Sequence, residues 1–295
     1  MLTRILRKGK LFPVGEMPQL SVVFFGSGSP ASCAALERLA EACEVTAVVV
    51  PKDTSGAPIR QMAVARHIPL VDISELSQTP DLFCVDTFPQ ILDARTLSLP
   101  RIGSVNVHQS LLPRHRGPDP LFWTYFYDEK ETGATVHWMT DKVDAGDIVL
   151  QERIPIRRGT AGTELYMELA SMGARLLAEA VIAIGNGSAR RTQQKEQFAT
   201  ADPSPWKMTW SIPYDAWDAE RLWHFCRGVI HLQLPPLTGA ESVDKFEIMG
   251  HDQRPGTICR EKDFLLIYAR DGRVRLRMRS LRARMRQWLA RRVRI

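Results

Sequence analysis

The sequence contains no apolar run of the length that crosses a bilayer. Its apolar stretches are short, such as "EVTAVVV" at residues 44–50, whereas a transmembrane helix needs about 20 apolar residues. The five cysteines are scattered, and no two of them have the C-x-x-C spacing of a metal or redox motif. We therefore expect no membrane partner, no disulfide framework, and a cytoplasmic protein whose cysteines are reduced.

Basic residues are scarce in the body of the chain and concentrated at its two ends. The net charge of the 295 residues is +6; residues 1–10 carry +4, and residues 270–295, with eleven arginines and one aspartate, carry +10. Subtracting both ends leaves −8 for residues 11–269. An acidic body disfavours a nucleic acid near the centre of the protein, whereas an Arg-rich end is able to bind one.

The first twenty residues lack the features of a targeting segment. They have no apolar core of the length that a secretory signal needs, and no serine precedes Ser21 as it would in a transit peptide. We therefore expect a loosely attached basic extension.

The fingerprint of a dinucleotide site is incomplete. "GSGSP" follows an apolar run at residues 20–25, but Ala31 stands where the third glycine belongs, and no acidic residue closes the second strand. We interpret the stretch as a tight turn, with Ser29 capping a helix that has Pro30 in its first position. NAD is therefore not expected as a cofactor.

Short apolar runs alternate with helical patterns in the first part of the chain. The runs at 20–25, 44–50, 82–86 and 103–108 are continuous, which is typical of buried parallel strands joined by right-handed crossovers. "TGATVHWM" and "GDIVLQERIPI" predict an antiparallel pair, and a long helical pattern follows. After a polar, proline-bearing segment come one helix and several short strands, including the alternating "RVRLRMR".

These patterns predict a Rossmann-like α/β fold with a mostly parallel sheet, followed by a small C-terminal β-barrel-like domain of the OB type. The predicted divisions are a basic N-terminal extension at 1–20, a catalytic domain at 21–188, a linker at 189–205, and a C-terminal β domain with an Arg-rich tail at 206–295.

Polar side chains interrupt the apolar strand "SVNVHQS". Alternation places Asn106 and His108 on one face at the carboxyl end of the strand, the edge where open α/β sheets bind ligands. "TDKVDAGD" adds carboxylates at Asp141, Asp144 and Asp147. Amide, imidazole and carboxylate together stabilise an oxyanion and move a proton. On spacing alone, a purely structural histidine stays an open alternative. No metal is expected, because the histidines share no short ligand spacing.

Two motifs, "NVHQSLLPRHRGPDP" and "GATVHWMTDKVDAGDIVLQ", occur in this order. They resemble N-x-H-x-S-L-L-P-x-x-R-G-x-x-P and G-x-T-x-x-x-M/V-x-x-x-x-D-x-G-x-I-x-x-Q of the folate-dependent N-formyltransferases. That family includes glycinamide ribonucleotide, methionyl-tRNA and amino-sugar formyltransferases. Weaker similarity runs from Val22 to about residue 188, and the C-terminal part is similar to the small β domain of tRNA-type and sugar-type members. The resemblance implies formyl transfer from 10-formyltetrahydrofolate to a primary amine.

The resemblance also implies roles for individual residues. Asn106, His108 and Asp144 match the catalytic trio. The residues expected to surround the pteridine ring of the folate are Phe88, Pro89, Gln90, Ile91, Leu92, Thr140, Asp141, Lys142 and Val143. The residues expected beside the acceptor amine are Ser110, Leu111, Leu112, Pro113, Arg114, Arg116 and Gly117.

These roles suit the chemistry of the reaction. We expect Asn106 to donate a hydrogen bond to the oxyanion, a protonated His108 near Asp144 to add positive charge, and Asp144 to take the proton of the amine. Arg114 and Arg116 are candidates for contact with a phosphate of the acceptor, with plain surface arginines as the alternative.

Three features bear on the identity of the amine. The segment "PKDTSGAPIRQ" at 51–61 holds one lysine and one arginine, where tRNA-specific members usually carry a longer basic insert. The acidic body and His137 also favour a small metabolite, so we predict a nucleotide-linked amino sugar or an amino-acid-derived amine. Methionyl-tRNA is the alternative, supported by the Arg-rich end. A formyltetrahydrofolate hydrolase or a non-catalytic folate binder is the second alternative. The sequence leaves the oligomeric state open, a homodimer included.

Overall fold

The computed structural model describes six stretches of the chain. These are residues 4–7, 10–13, 20–52, 56–75, 79–207 and 210–279. The Arg-rich tail beyond residue 279 and most of the N-terminal extension lie outside the described residues, so what we predict for them stays a prediction. Within the extension, the backbone of β1 (Arg4–Arg7) pairs antiparallel with that of β2 (Lys10–Pro13).

A six-stranded sheet forms the centre of the first part of the chain. Its strands are β3 (Ser21–Gly26), β4 (Glu44–Val49), β5 (Leu82–Asp86), β6 (Gly103–His108), β7 (Glu131–Trp138) and β8 (Ile148–Pro155), in the spatial order β4-β3-β5-β6-β7-β8. The pairs β3–β4, β3–β5 and β5–β6 are parallel, and β6–β7 is antiparallel. Every residue of β5 is buried, as expected for a strand covered on both faces. The predicted mostly parallel sheet is confirmed.

Apolar layers cover both faces of this sheet. They include residues of α1 (Pro30–Ala40), α2 (Ala57–Ala65), α3 (Ala94–Leu97) and α5 (Gly162–Gly185). The described residues also form α4 (Pro120–Phe126) and α6 (Ala219–Val229), which belong to the second of the two units given below. Because strand residues alternate between faces, Phe24 packs into one core cluster with Leu36 of α1 and Leu177 of α5, whereas Phe25 packs into another with Phe83. The start of α1 follows the prediction: Ser29 accepts a 3.1 Å hydrogen bond from the backbone N–H of Ser32.

A second sheet lies in the C-terminal part. It contains β9 (Ala240–Ile248), β10 (Ile258–Glu261), β11 (Phe264–Tyr268) and β12 (Gly272–Met278), in the antiparallel order β10-β11-β12-β9. In β12, Val274 and Leu276 are fully buried, while Arg273 ion-pairs with Glu247 of β9 at 2.8 Å. This sheet confirms the small C-terminal β domain and the alternation predicted for "RVRLRMR".

The chain divides into two compact units. The first holds the described residues up to Gly117, with Thr132–Ile154 and Met167–Ala201; the second holds Pro118–Glu131, Pro155–Tyr166 and the described residues from Asp202 onward. The domain limits given above stay a prediction. No helix among the described residues is long and apolar enough to cross a membrane.

Candidate active site

Three predicted side chains meet at the carboxyl end of β6. Val105 and Val107 face the core, so Asn106 and His108 lie on the opposite face of the strand. Asp144, from the turn between β7 and β8, approaches this face: its Oδ2 lies 3.6 Å from His108 Nδ1. The amide of Asn106 is linked to Asp144 through a fourth residue, His137, which stands opposite Asn106 in the β6–β7 register.

One backbone donor and two imidazole rings surround the carboxylate of Asp144. Its Oδ2 accepts a 2.8 Å hydrogen bond from the backbone N–H of Gly117, and its Oδ1 lies 3.4 Å from His137 Nε2. Burial raises the pKa of this carboxyl, but His108, His137 and the N–H of Gly117 outweigh burial and hold the pKa well below its usual range. Asp144 is therefore ionised at neutral pH and able to accept a proton.

His108 is enclosed between the loop that follows β6 and Asp144. Its Nε2 donates a 2.7 Å hydrogen bond to the carbonyl of His115, and the side chain is almost fully buried. Burial lowers the pKa of His108, with Asp144 and the His115 carbonyl opposing the shift. The protonated His108 that we expect from the sequence stays a prediction.

Both ring nitrogens of His137 have polar neighbours. Its Nδ1 lies 2.9 Å from the carbonyl of Trp138, which only accepts, so Nδ1 carries a proton. Its Nε2 lies 3.2 Å from Nδ2 of Asn106 and 3.4 Å from Oδ1 of Asp144. The ring therefore contacts both the amide, which is a donor suited to a developing oxyanion, and the carboxylate.

A pocket of about 150 Å³ opens beside this cluster. Its lining residues are Val85, Phe88, Gln90, Ile91, Leu92, Asn106, His137, Met139, Thr140, Asp141, Lys142, Val143 and Asp144. They include eight of the nine residues predicted to surround the pteridine; Pro89 does not line the pocket, and neither does His108. Apolar side chains form one part of the wall, and the polar Thr140–Asp144 turn forms another. Such a cavity suits a flat ring with hydrogen-bonding edges.

The loop predicted to lie beside the acceptor is partly buried. Ser110 is inaccessible and donates to the Arg114 carbonyl at 2.7 Å, and Leu112 is also buried. The guanidinium of Arg116 donates to Gln194 and Glu196. Four of its five N–H groups are therefore engaged within the protein, and the contact of Arg116 with an acceptor phosphate stays a prediction. The side chain of Arg114 is exposed.

The sequence model of the formyl transferase family matches residues 21–181, which include all three side chains of the cluster. The chain belongs to this family. The resemblance to the folate-dependent N-formyltransferases is thereby confirmed, and so is the assignment of the chain as an N-formyltransferase.

Two curated relatives and one solved structure illustrate the similarity. The methionyl-tRNA formyltransferase of Moorella thermoacetica is 40% identical over 149 residues, which cover 50% of this chain and 48% of the relative. That of Caldanaerobacter subterraneus is 27% identical over 286 residues, covering 87% and 91%. An N-formyltransferase of Helicobacter canadensis, solved with folinic acid and dTDP-3-aminofucose, has a TM-score of 0.68 and 17% identity over 89% of this chain and 100% of that chain. This last likeness shows the fold.

Sequence reasoning missed several members of this candidate site. Val85 and Met139 line the pocket as well, and Gln194 bonds to the turn that carries Asp144. His137, which the sequence analysis names as a feature bearing on the acceptor, stands opposite Asn106 in the register of β6 with β7. Among the described residues, no group of three or more His, Cys, Asp or Glu side chains is able to hold a metal ion.

Proposed function

We propose that the protein transfers the formyl group of 10-formyltetrahydrofolate to the amine of methionyl-tRNA. The observation that carries formyl transfer is the convergence of Asn106 and an ionised Asp144 on a pocket with an apolar wall. The pteridine ring of the donor would occupy this pocket, with Phe88 and Leu92 against its flat face. The formyl group would then lie beside Asn106.

Asn106 and Asp144, which both line the pocket, each have one task in the reaction. The amine nitrogen attacks the formyl carbon, and the carbonyl oxygen becomes an oxyanion that accepts a hydrogen bond from the amide of Asn106. Asp144 takes a proton from the attacking nitrogen. The bond from the carbon to N10 then breaks, and this proton passes to N10 of the departing tetrahydrofolate. His108 stabilises Asp144 in this scheme, because its ring faces the carboxylate rather than the pocket.

The acceptor is the part of the proposal that differs from our sequence prediction of a small metabolite. The relative that matches along 91% of its own length is a methionyl-tRNA formyltransferase, and the match extends over 87% of this chain. The charge of +10 on residues 270–295 supports a polyanionic acceptor as well. Together they favour methionyl-tRNA.

A nucleotide-linked amino sugar is the second candidate. Residues 51–61 carry only one lysine and one arginine, and residues 11–269 carry −8. A body of this charge suits a small acceptor better than a long phosphate backbone near the site.

A direct assay separates the two acceptors. The full chain is incubated with 10-formyltetrahydrofolate and either methionyl-tRNA labelled in the methionine or a dTDP-linked amino sugar. We expect labelled N-formylmethionine after mild hydrolysis of the ester. Formylation of the sugar with no formylmethionine would overturn the proposed acceptor. Consumption of the donor with neither amine present would instead indicate a hydrolase.

The base is tested with Asp144→Asn. This change removes the proton acceptor but keeps the shape of the side chain, so we expect turnover to fall about 10²–10⁴-fold. Affinity for folinic acid, measured by calorimetry, is expected to change little. Turnover close to that of the wild type would exclude Asp144 as the base.

A further inference from the structure

A buried glutamine reaches the catalytic turn from a segment that our sequence analysis treats as a polar linker. Gln194 is 5% exposed, whereas its neighbour Gln193 is exposed. Its Nε2 donates to the backbone carbonyls of Asp144, at 2.8 Å, and Gly146, at 2.7 Å. Its Oε1 accepts from Arg116 Nε at 3.1 Å and Nη2 at 2.8 Å. Two donated and two accepted bonds satisfy the whole amide.

The chemistry of the partners fixes the orientation of this amide. A guanidinium only donates hydrogen bonds and a backbone carbonyl only accepts them, so the oxygen of Gln194 must face Arg116 and the nitrogen must face the turn. A carboxylate or an apolar side chain at this position would satisfy at most one of the two sides.

The bonds that Gln194 donates and the bonds that it accepts both bear on the position of Asp144. On one side it holds the backbone of Asp144 itself, whose φ of 52° lies in the left-handed region that costs energy for a residue other than glycine. On the other side it holds Arg116, the residue directly before Gly117, whose N–H donates to the Asp144 carboxylate. The position of the carboxylate and that of its donor therefore depend on the same amide.

The segment around Gln194 is anchored on either side of it. Thr192 exchanges backbone hydrogen bonds with Ile148 at 2.8 and 2.9 Å. After Gln194, Glu196 pairs with Arg116 at 2.6 Å, and the carbonyl of Thr200 accepts from the backbone N–H of Arg116 at 2.9 Å. Gln194 is thus held in place independently of the turn that it contacts.

We propose that Gln194 is a positioning residue for formyl transfer, which clamps the Asp144 turn to the loop that ends at Gly117. It does not touch the reacting atoms; it acts through Asp144, and this assignment rests on the function proposed above. Arg116 belongs to the same clamp.

Two variants separate the two sides of the clamp. Gln194→Glu keeps an oxygen for Arg116 but replaces the donor with an oxygen that faces two carbonyls, so it breaks the link to the turn. Arg116→Met keeps that link and breaks the other. Gln193→Glu is the matched control, because it makes the same change of charge at the exposed neighbour.

The first measurement is hydrogen exchange of the full chain, which needs no acceptor. In Gln194→Glu we expect the backbone amides of residues 141–147 to exchange about tenfold faster, with unchanged exchange in β3 and β5. In Gln193→Glu we expect no change. The proposal is overturned if residues 141–147 of Gln194→Glu exchange at the wild-type rate. It is also overturned if exchange accelerates equally in Gln194→Glu and Gln193→Glu.

The second measurement is the pH profile of turnover with the acceptor that the wild type formylates. We expect kcat to fall about tenfold or more in Gln194→Glu, with the KM for the donor changed by less than about threefold. Because the N–H of Gly117 contributes to lowering the pKa of Asp144, its displacement moves the acidic limb of the profile to higher pH. If the acidic limb of the pH profile lies at the wild-type pH in both Gln194→Glu and Arg116→Met, the proposal is overturned.

The two measurements also distinguish this inference from the proposed function. If the wild type formylates neither acceptor, the proposed function fails, whereas the exchange of residues 141–147 still decides the clamp. If Gln194→Glu does not fold, Arg116→Met still tests the side of the clamp that ends at Gly117, and wild-type kcat with an acidic limb at the wild-type pH in that variant would contradict the clamp.

Discussion

Two aspartates at opposite ends of β5 have opposite environments. Asp81 accepts a 2.9 Å hydrogen bond from the backbone N–H of Ser21 and pairs with Arg101. Burial raises its pKa, but these partners outweigh burial and lower it overall. Asp86 is 1% exposed, and neither of its carboxyl oxygens has a hydrogen-bond partner within the described part of the chain. Burial raises its pKa to about 7, although the nearby Thr87 side chain opposes the shift.

Asp86 is therefore expected to make stability fall as pH rises. The pKa of Asp86 is higher in the folded protein than in the unfolded chain. The protonated carboxyl therefore contributes to the free energy of unfolding at pH values below its pKa in the unfolded chain, and this contribution is lost as the pH rises to about 7. Asp86→Asn removes the charge, so its stability relative to wild type should grow between about pH 4 and pH 8 by up to about 4 kcal/mol. Urea unfolding at both pH values measures this difference.

The paired aspartate provides the control for that experiment. Asp81→Asn removes a carboxylate that the folded state prefers ionised. The stability that this carboxylate contributes is present above its unfolded pKa and is lost only in more acidic solution, so the stability of Asp81→Asn relative to wild type should change little between about pH 4 and pH 8. A difference between Asp86→Asn and wild type that does not change with pH would contradict the assignment of a protonated Asp86.

His137 is expected to orient the amide of Asn106. His137→Phe keeps a ring in place but removes Nε2, which lies 3.2 Å from the amide of Asn106, so the amide is free to rotate away from the oxyanion. Losing one hydrogen bond of this kind costs about 1–3 kcal/mol, which corresponds to a fall in kcat of roughly 5- to 150-fold. The measurement is kcat at saturating donor, with the melting temperature to detect unfolding.

The variant His137→Gln, which retains an acceptor, is expected to recover part of the rate. Equal kcat in wild type and His137→Phe would show that Asn106 needs no support from this ring.

Sequence reasoning finds the functional residues whose positions follow from the local chain, and it misses those that are placed by contacts distant in the sequence. Asn106 and His108 follow from alternation along one strand, a property of the local chain. Gln194 is invisible to such reasoning, because its partners Arg116 and Asp144 are 78 and 50 residues away. Nothing in "RRTQQKEQF" distinguishes Gln194 from the exposed Gln193 before the chain has folded.

Among the secondary-structure elements, the turn between β7 and β8 matters most for the site. It carries Asp144 and then passes close to the end of β7: a Cβ on Gly146 would lie 1.9 Å from the carbonyl oxygen of Trp138. The backbone of Trp138 is itself bonded to the turn, since its N–H donates to the Asp147 carbonyl at 2.9 Å. Only a glycine permits this approach.

Gly146→Ala should therefore displace the turn. We expect weaker binding of folinic acid, slower turnover and a stability loss of about 1–3 kcal/mol, measured by calorimetry, the formylation assay and urea unfolding. Gly250→Ala is the control, because nothing lies within 4 Å of the position that its Cβ would take. Wild-type affinity and turnover in Gly146→Ala would mean that the turn tolerates displacement.

The elements that sequence patterns predict are those with strong local signals. Continuous apolar runs mark β3, β4 and β5, because parallel strands are buried on both faces. In contrast, β9 reads "AESVDKFEI" and alternates poorly, with only Ala240 and Val243 buried. It is a strand because it pairs along β12, and that pairing joins residues about thirty positions apart in the sequence. α4, a seven-residue helix that follows a proline-rich loop, was missed because it is too short for a periodic pattern.

For the whole molecule, the distribution of charge bears on the choice of acceptor. Two arginines of β12 are already neutralised in the fold: Arg273 pairs with Glu247, and Arg275 pairs with Asp244. The charge available to a polyanion therefore depends on the arginines that follow, six of which lie between residues 282 and 294.

A chain that ends at residue 279 tests this dependence. Each phosphate contact that an arginine makes contributes about −0.7 to −0.9 to the slope of log affinity against log salt concentration. If residues 282–294 contact methionyl-tRNA, the shortened chain should bind it more weakly, with a shallower slope between about 50 mM and about 200 mM salt. Its affinity for folinic acid should be unchanged, which serves as the internal control for folding. An identical slope for the two chains would place the phosphate contacts elsewhere, and no salt dependence in the full chain would favour the amino sugar.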